Sequence, residues 1–487
     1  MSDDEDEGYH IVMCPGSLWI YAGFAGDDSI RSKVLNVVGH PKSGDLPVVG
    51  GHAMWYGLRH GGDGYDRSQL QSRANLSWPV TCGFVSNWSD MSTVLRYCAT
   101  VELHIPLEGV HKLLLAESPV CRPEYREQMV SAAFETFPGL EKLCLASTAH
   151  LALLASGRKT GMILECGDSV CHAVPLREFC IVPEGVMRLE MGGRDLTSYL
   201  QKLLAARHGW DSCETRRRSM FMRDCKERHC FVRLNPADGD LGVDEVTYEE
   251  EEPFSLAEER WRCLEALFDP SLVGVEGMGL PELLHSSISR CPVALQPELC
   301  TSIICVGGST MHPGFQERLQ LEISKLIPGT SIKVLAPPER LKSTWIGGSI
   351  LASLSFCPWI TRAEYESVGA SIVHERSRCA SASATSEDIT IDLTPAQISP
   401  VRVATLHILR GGVGNLSITC ISPGGTELTS VEMQLTSTLK ELCLVLSENL
   451  PDFRLQLVLP SGKLLTASEG EELLSSWVEA EWPPPVA

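Results

Sequence analysis

Three observations predict an α/β fold followed by a small separate domain. Apolar segments that end in glycine turns alternate with amphipathic segments of helical spacing, which favours a mostly parallel sheet with helices around it. Two of the apolar segments, at residues 11–23 and 162–173, share one pattern of strand, glycine turn and second strand. A stretch rich in Ser, Ala and Thr at 377–399 then separates these elements from residues 400–480, and we interpret it as a linker.

Composition limits the classes of protein to consider. The chain has 487 residues, of which 44% are apolar and 21% charged, so it can form two or three domains with sizeable cores. The net charge of -21 argues against a direct nucleic-acid partner, which usually needs a basic surface. Part of that charge lies in an acidic tail at residues 1–9.

The sequence also predicts a compartment. The acidic N-terminus lacks the features of a signal peptide, and no apolar run approaches the ~20 residues of a membrane span. We therefore expect an intracellular protein with no membrane partner. The 19 cysteines are scattered without zinc-ribbon spacing, so most should be small buried apolar side chains.

The two similar hairpins are the first candidates for function. Glycine turns leave backbone N–H groups open to an approaching ligand, and two such turns facing each other can clamp a phosphate chain. The alternative is a pair of ordinary β-hairpins. Their separation along the chain indicates two similar halves, each of which contributes one loop to a shared cleft.

Further elements follow the same α/β pattern. Asp195 and the leucines after it predict a helix capped by that aspartate. A strand at 302–306 runs into a glycine turn, and a helix should begin after Pro313. Residues 334–340 predict a strand that ends in a rigid bend. In the last domain, strands at 416–420 and 427–435, a helix at 437–450 and strands at 453–459 and 463–466 give the order ββαββ.

Eight motifs in a fixed order resemble the actin family. They are AGFAGDD at 22–28, VSNWSDM at 85–91, ASGRKTG at 155–161, GRDLT at 193–197, GGSTMHPG at 307–314, APPER at 336–340, WIGGSILASL at 345–354 and SIVH at 371–374. The resemblance implies the actin fold, two ribonuclease-H-like halves around a nucleotide cleft. The first half would comprise residues 10–155 and 343–376, with 36–79 as its small outer subdomain. The second would comprise 156–342, with 192–274 as its small subdomain.

Residues 400–480 resemble the ubiquitin-like β-grasp fold, mainly at 454–465. The chain ends in Pro-Pro-Pro-Val-Ala without a diglycine, so the domain is not set up for conjugation. Residues 409–412, Leu-Arg-Gly-Gly, look like a ubiquitin terminus but precede the predicted strands, and we interpret them as a coincidence.

The resemblance to actin implies a weakened hydrolysis site. Cys14 stands where the family has an aspartate that organises the magnesium water shell, and Tyr21 stands where it has a phosphate-binding lysine. Thr148 replaces a glutamine near the attacking water. The catalytic set that remains is His172, Asp168 and Glu165, in which Glu165 replaces an aspartate. For His172 the alternative is a hydrogen-bonded core histidine.

The resemblance also implies a nucleotide pocket for ATP or ADP. Magnesium would be held only indirectly, through water, by Glu165 and Asp168, so its presence is doubtful. A metal or redox site at Cys14, Cys166, Cys171 and His172 is a remote alternative. The residues that match phosphate- and adenosine-binding positions are Gly16, Ser17, Gly167, Asp168, Ser169, Arg223, Lys226, Glu227, Gly308, Ser309, Met311 and His312. Leu341 stands where the family usually has a lysine beside the adenine.

These residues lead to three functional hypotheses. The first is an actin-like cytoskeletal protein that binds ATP or ADP with weak or absent hydrolysis, and acts by filament assembly or as a scaffold. Its partners would be actin or itself in filaments, and actin-binding proteins, in the cytoplasm and cytoskeleton. The second is a diverged filament-forming ATPase. The third is a nuclear actin-related subunit of a chromatin-remodelling complex, or an adaptor whose ubiquitin-like domain recruits partners.

Overall fold

A computed structural model describes residues 8–42, 46–51, 53, 74–210, 212–235, 244–246, 253–355, 357–375, 405–410, 415–421 and 427–434. The chain divides into two compact units, Met1–Ser386 and Glu387–Ala487. Within the described ranges, no helix combines the length and apolar character needed to cross a membrane.

The first unit begins with strands and three α-helices. The strands are β1 Tyr9–Pro15, β2 Trp19–Phe24, β3 Ser32–Leu35, β4 Val38–Pro41, β5 Val48–Val49, β6 Ala74–Ser77, β7 Val80–Thr81, β8 Phe84–Val85, β9 Val110–Glu117 and β10 Lys142–Ser147. The helices are α1 Trp88–Tyr97, α2 Pro123–Thr136 and α3 Thr148–Ala155. A π-helical turn, Cys98–Glu102, continues α1, and a 3-10 turn, Leu107–Gly109, precedes β9.

The middle of this unit repeats the pattern. Its strands are β11 Gly161–Cys166, β12 Cys171–Arg177, β13 Cys180–Ile181, β14 Met187–Leu189, β15 Asp244–Val246, β16 Phe254–Leu256, β17 Ile303–Val306 and β18 Val334–Leu335. Its helices are α4 Gly193–His208, α5 Ser212–His229, α6 Glu259–Glu265, α7 Leu280–Arg290, α8 Gln296–Cys300 and α9 Phe315–Leu326. Its 3-10 turns are Pro183–Gly185, Pro270–Val273, Gly308–Thr310 and Pro338–Leu341. The unit closes with α10 Ser343–Ser353, β19 Ile360–Thr361 and α11 Arg362–Val368.

Two six-stranded sheets carry the same topology. The first has the order β19-β10-β9-β1-β2-β3, and the second has the order β13-β12-β11-β17-β18, with β14 beside β12. In each sheet an antiparallel hairpin, β1–β2 or β11–β12, continues through two further parallel strands. The two predicted hairpins are therefore present. The central strands β9 and β11 are almost wholly buried, as expected when helices cover both faces of a sheet.

Each sheet has its own apolar core. Leu164, Leu196 and Phe315 belong to the core of the second sheet, and Leu113 and Phe134 to that of the first. Helices α3 and α10 pack so closely that a Cβ atom on Gly347 would lie 1.8 Å from the Leu151 carbonyl oxygen. A glycine is required at that crossing.

Local predictions were mostly accurate, with one correction at α4. The strand before the glycine turn and the helix after Pro313 are both present. Helix α4, however, begins at Gly193, and Asp195 is its third residue rather than its cap. The Asp195 carboxylate accepts from the Gly192 N–H at 2.9 Å, so it stabilises the helix start from inside.

The second unit shows three antiparallel strands, β20 Thr405–Arg410, β21 Asn415–Ile421 and β22 Glu427–Gln434, in that order. The latter two match predicted strands. Strand β20 was not predicted. Residues 409–410 lie in this strand, so they belong to the sheet and do not precede it. No turn signal separates residues 405–410 from the preceding residues, so the sequence pattern did not mark where this strand begins. The predicted helix at 437–450 and the later strands lie outside the described residues, and the β-grasp fold stays a prediction.

Candidate functional site

The loops of the two hairpins touch each other. The first loop follows β1 and the second follows β11, so both lie at the ends of central strands. The hydroxyl oxygens of Ser17 and Ser169 lie 2.6 Å apart, and both side chains are buried. The two halves of the repeat therefore meet at their loop tips through a direct hydrogen bond.

The first loop is held by one hydrogen bond within the turn and by one from the Asn36 side chain. The Gly16 N–H donates to the Trp19 carbonyl at 2.8 Å, which closes the turn. The Asn36 side chain donates to the Gly16 carbonyl at 2.7 Å. Asn36 is fully buried and had not been predicted to support the site.

The second loop is fixed by the start of helix α4. The Gly193 N–H donates to the Gly167 carbonyl at 3.0 Å, and the Arg194 N–H donates to the Asp168 carbonyl at 2.8 Å. The Arg194 guanidinium also donates to the Asp168 carboxylate, from Nε at 3.0 Å and from Nη2 at 2.9 Å. Asp168 is thus already paired with a cation of its own chain.

Lys226 lies beneath this loop and beside the glycine turn at 307–310. Its Nζ donates to the Gly193 carbonyl at 2.6 Å, and burial lowers the pKa of Lys226. Arg223, Lys226 and Glu227 share a face of α5 by helical spacing, and Glu227 is exposed. Burial, followed by the charge of Glu227, raises the pKa of Tyr21 to about 12, so the phenol of the first hairpin stays neutral.

The glycine turn joins the second loop from the other side. The Ser309 hydroxyl donates to the Gly167 carbonyl at 2.8 Å, and Gly308 lies beside Leu341. Met311 is 37% exposed. His312, in contrast, is buried, and its Nδ1–H donates to the Cys230 carbonyl at 3.3 Å. Its role toward a nucleotide stays a prediction. The hydrogen bond joins the end of the glycine turn to Cys230, the residue that follows α5.

The positions assigned to hydrolysis are bound to one another. The Thr148 hydroxyl donates to Oε2 of Glu165 at 2.7 Å, and burial raises the pKa of that carboxyl. Burial, and then the charge of Glu165, raise the pKa of the Cys14 thiol. Thr148 therefore contacts the carboxyl directly, and Cys14 keeps its proton.

His172 faces a cation. It is paired across β12 and β14 with Arg188, whose Nη1 lies 3.3 Å from Nε2 of the ring. Burial and the charge of Arg188 lower the pKa of His172 to about 4. Because a guanidinium can only donate, the neutral ring accepts at Nε2 and carries its proton on Nδ1. That buried Nδ1 has no partner among the described residues.

The site fits a phosphate chain better than it fits a magnesium ion. The main-chain N–H groups of Ser17, Asp168 and Ser169 donate to no acceptor within the described part of the chain, as is typical of a loop that binds an anion. Mg²⁺ prefers ionised oxygen ligands. Here the nearest candidates are the Cys14 thiol, the hydrogen-bonded Glu165 and the Arg194-paired Asp168, which do not suit it.

A directly bound metal also finds no site in the described ranges. No group of three or more His, Cys, Asp and Glu side chains there could hold an ion. The cysteines of the remote alternative, Cys14, Cys166 and Cys171, are buried apolar side chains. We therefore assign no chemical step to a metal.

The structure brings many of the predicted residues together and adds three. Gly167, Asp168, Ser169, Lys226 and Ser309 surround the start of α4, and Ser17 contacts them from the first hairpin. The residues that sequence reasoning missed are Asn36, Arg188 and Arg194. Arg194 lies inside the GRDLT motif and could have been singled out, whereas Arg188 is revealed only by strand pairing.

One comparison with known proteins bears on this site. The family model for actin matches residues 5–378. The match spans both six-stranded sheets, both hairpin loops and the glycine turn, and it ends before β20.

Proposed function

The chain belongs to the actin family, and from this premise we propose that it is an actin-like scaffold that holds an adenine nucleotide in its cleft without turning it over. The nucleotide would stabilise the closed arrangement of the two halves. The cycle of hydrolysis that times polymer assembly would be absent. We assign this activity to the cytoplasm and cytoskeleton.

One observation carries the proposal: the residues that would act on an attacking water are bound to protein partners. Thr148 donates to Glu165, and Arg188 occupies Nε2 of His172. A water at Thr148, at Oε2 of Glu165 or at Nε2 of His172 would have to displace a buried hydrogen bond. Phosphoryl transfer depends mainly on positioning and electrostatics, so the loss of positioned groups lowers the rate directly.

The binding half of the proposal rests on the residues around Lys226. This buried amine, the free amides of Asp168 and Ser169, and the glycine turn surround one end of the cleft. Arg223 and Glu227 lie one helical turn or less from Lys226, on the same face of α5. Such a set of small residues, amides and one cation suits the sugar and phosphates of a nucleotide.

Phosphate release tests the proposal. We expect the purified full chain to carry nucleotide, detected by ultraviolet absorbance and mass, and to release phosphate at least about 100-fold more slowly than actin, because a positioned acid–base group contributes about 10²–10⁴-fold. The triple variant Cys14→Asp, Thr148→Gln, Glu165→Asp should release phosphate faster than the wild type. Wild-type release as fast as actin's would contradict the proposal.

Filament assembly is a separate part of the proposal, with actin or further copies of this chain as partners. Sedimentation of the full chain and of a 1–378 truncation tests it. We expect pelleting in at least one form, and its absence from both would exclude self-assembly under those conditions.

The second compact unit favours an alternative. Glu387–Ala487 lies beyond the actin match and contains its own sheet, as an adaptor module would. The chain would then be an adaptor or a nuclear subunit of a larger complex. Affinity purification with and without residues 400–487 distinguishes the two, because only an adaptor loses its partners with that segment.

A further inference from the structure

The contact between the two hairpin loops limits what the cleft can hold. Ser17 and Ser169 are 152 positions apart in sequence, yet their hydroxyl oxygens are separated by 2.6 Å. Two hydroxyls that each bind a different oxygen of one phosphate lie about 5–8 Å apart, given hydrogen bonds of about 2.7 Å on either side. No phosphate fits between the loop tips while this bond is made.

The backbone of each loop is held in place, so the hydroxyl pair can open only by rotation of a serine side chain. Asn36 and the turn to Trp19 hold Gly16 on one side. On the other side, Gly193 and Arg194 hold the carbonyls of Gly167 and Asp168. The backbone is also crowded there, since a Cβ atom on Gly192 would lie 2.6 Å from the Ser169 nitrogen. Separation of the tips would break several buried hydrogen bonds together.

The donors that remain can still serve a shorter phosphate chain. Asp168 adjoins Lys226 through the start of α4, because a Cβ atom on Gly193 would lie 3.2 Å from Lys226 Nζ and 3.6 Å from Asp168 Cα. On the strands that flank the second loop, Glu165 is bonded to Thr148, and His172 is bonded to Arg188 through Nε2. A third phosphate would meet the paired serine hydroxyls first, and beyond them the Nδ1–H of His172 is buried without a partner among the described residues.

We propose that this cleft selects a nucleoside diphosphate over the triphosphate, because the Ser17–Ser169 hydroxyl pair occupies the space of the terminal phosphate. The inference rests on the proposed nucleotide binding. Ser169 is the residue that determines specificity, since its side chain stands where the family has a glycine. Ser17 is its partner, and it also accepts a long hydrogen bond from the Gly83 N–H at 3.5 Å.

Titration calorimetry of the nucleotide-stripped full chain with ADP and with ATP tests this. We expect ADP to bind at least about 10-fold more tightly than ATP, which corresponds to about 1.4 kcal/mol. The Ser169→Gly variant should bind ATP at least about 10-fold more tightly than the wild type, and ADP within about threefold of it. The matched control is Ser287→Ala, a buried serine whose hydroxyl bonds to the Gly185 carbonyl and takes no part in the cleft. It should keep the wild-type ratio.

The outcomes separate this inference from the proposed function. Equal affinities for ADP and ATP in the wild type overturn the inference and leave nucleotide binding intact. Binding of neither nucleotide by the wild type or by Ser169→Gly overturns both. If Ser169→Gly does not fold, Ser169→Ala and Ser17→Ala, which remove one hydroxyl each, take its place. A preference for ADP that stays unchanged in the folded variants also overturns the inference.

Discussion

At Ser169 a single hydroxymethyl group changes the contacts of a whole loop. Its oxygen completes a hydrogen bond to Ser17 that no glycine could make. At Glu165, one added methylene lets the carboxyl meet the Thr148 hydroxyl at 2.7 Å. Neither change removes a polar group from the site. Each redirects polar groups toward protein partners.

Two neutral histidines give the fold a dependence on pH. Burial lowers the pKa of His312, and likewise of His172, from 6.5 to about 4. A lowered pKa means that the unfolded chain binds more protons than the folded chain. The contribution of these histidines to the free energy of unfolding is therefore complete above pH 6.5, and it falls as the pH drops toward 4.

We expect His312→Gln to lose less stability than the wild type between pH 7 and pH 5. The difference should be about 2 kcal/mol, since each pH unit below 6.5 changes the free energy by about 1.4 kcal/mol for one such histidine. Urea unfolding at the two pH values measures it. Between pH 7 and pH 8 the free energies of unfolding of the two proteins should change by the same amount. Equal losses of stability down to pH 5 would contradict the lowered pKa of His312.

At the scale of elements, the glycine turn after β17 helps to hold the second loop in place. The turn after β17 begins with Gly307 at φ 94, and a Cβ atom there would lie 2.3 Å from the Cys166 carbonyl oxygen. That carbonyl lies at the end of β11, directly before the second loop. The turn and the loop can therefore approach only because both φ and space suit glycine.

We expect Gly307→Ala to destabilise the first unit by about 3 kcal/mol or more, from backbone strain and steric overlap together. Gly274→Ala is the matched control, because Gly274 has φ 79 and a Cβ atom there would meet no heavy atom within 4 Å. It should cost only about 1–2 kcal/mol. Thermal unfolding of both variants measures the difference. Equal losses would mean that φ alone, and not the approach to Cys166, requires glycine at 307.

At the scale of the molecule, Arg188 connects the second six-stranded sheet to the two-stranded sheet β7–β8. It extends from β14 of the second sheet, and its Nη2 donates to the Cys82 carbonyl at 2.7 Å. Its guanidinium also lies over the Phe84 ring, with 4.8 Å between Cζ and the ring centroid. Arg188 also contacts His172. The guanidinium of Arg188 therefore contacts both the β11–β12 hairpin and the segment 80–85.

We expect Arg188→Ala to speed hydrogen exchange in residues 80–85 by about 10-fold or more, since a hydrogen bond to a charged group contributes about 1.5–3 kcal/mol. Arg188→Lys keeps the charge but not the forked geometry, so exchange should rise by less. Exchange measured by mass spectrometry on the full chain checks this. Unchanged exchange in both variants would show that the contact does not hold the segment.

The sequence by itself determined the family, the paired hairpins, and which family residues are replaced. These features are local, because strand patterns, glycine turns and ordered motifs can be recognised without knowing what they touch. Local sequence signals did not predict where an element begins when its start depends on contacts with other elements, as for helix α4 at Asp195 and for strand β20.

Only the tertiary structure decided what the replaced residues do. The sequence predicted that the two loops face each other, but it did not specify the bonds from Ser17 to Ser169, from Thr148 to Glu165 and from Arg188 to Cys82. The side-chain volume and hydrogen-bonding capacity of a residue are set by its type, but its partner is set by which elements the fold brings within about 3 Å. For that reason the sequence predicted an altered nucleotide site, and the structure shows that its two loops bind each other.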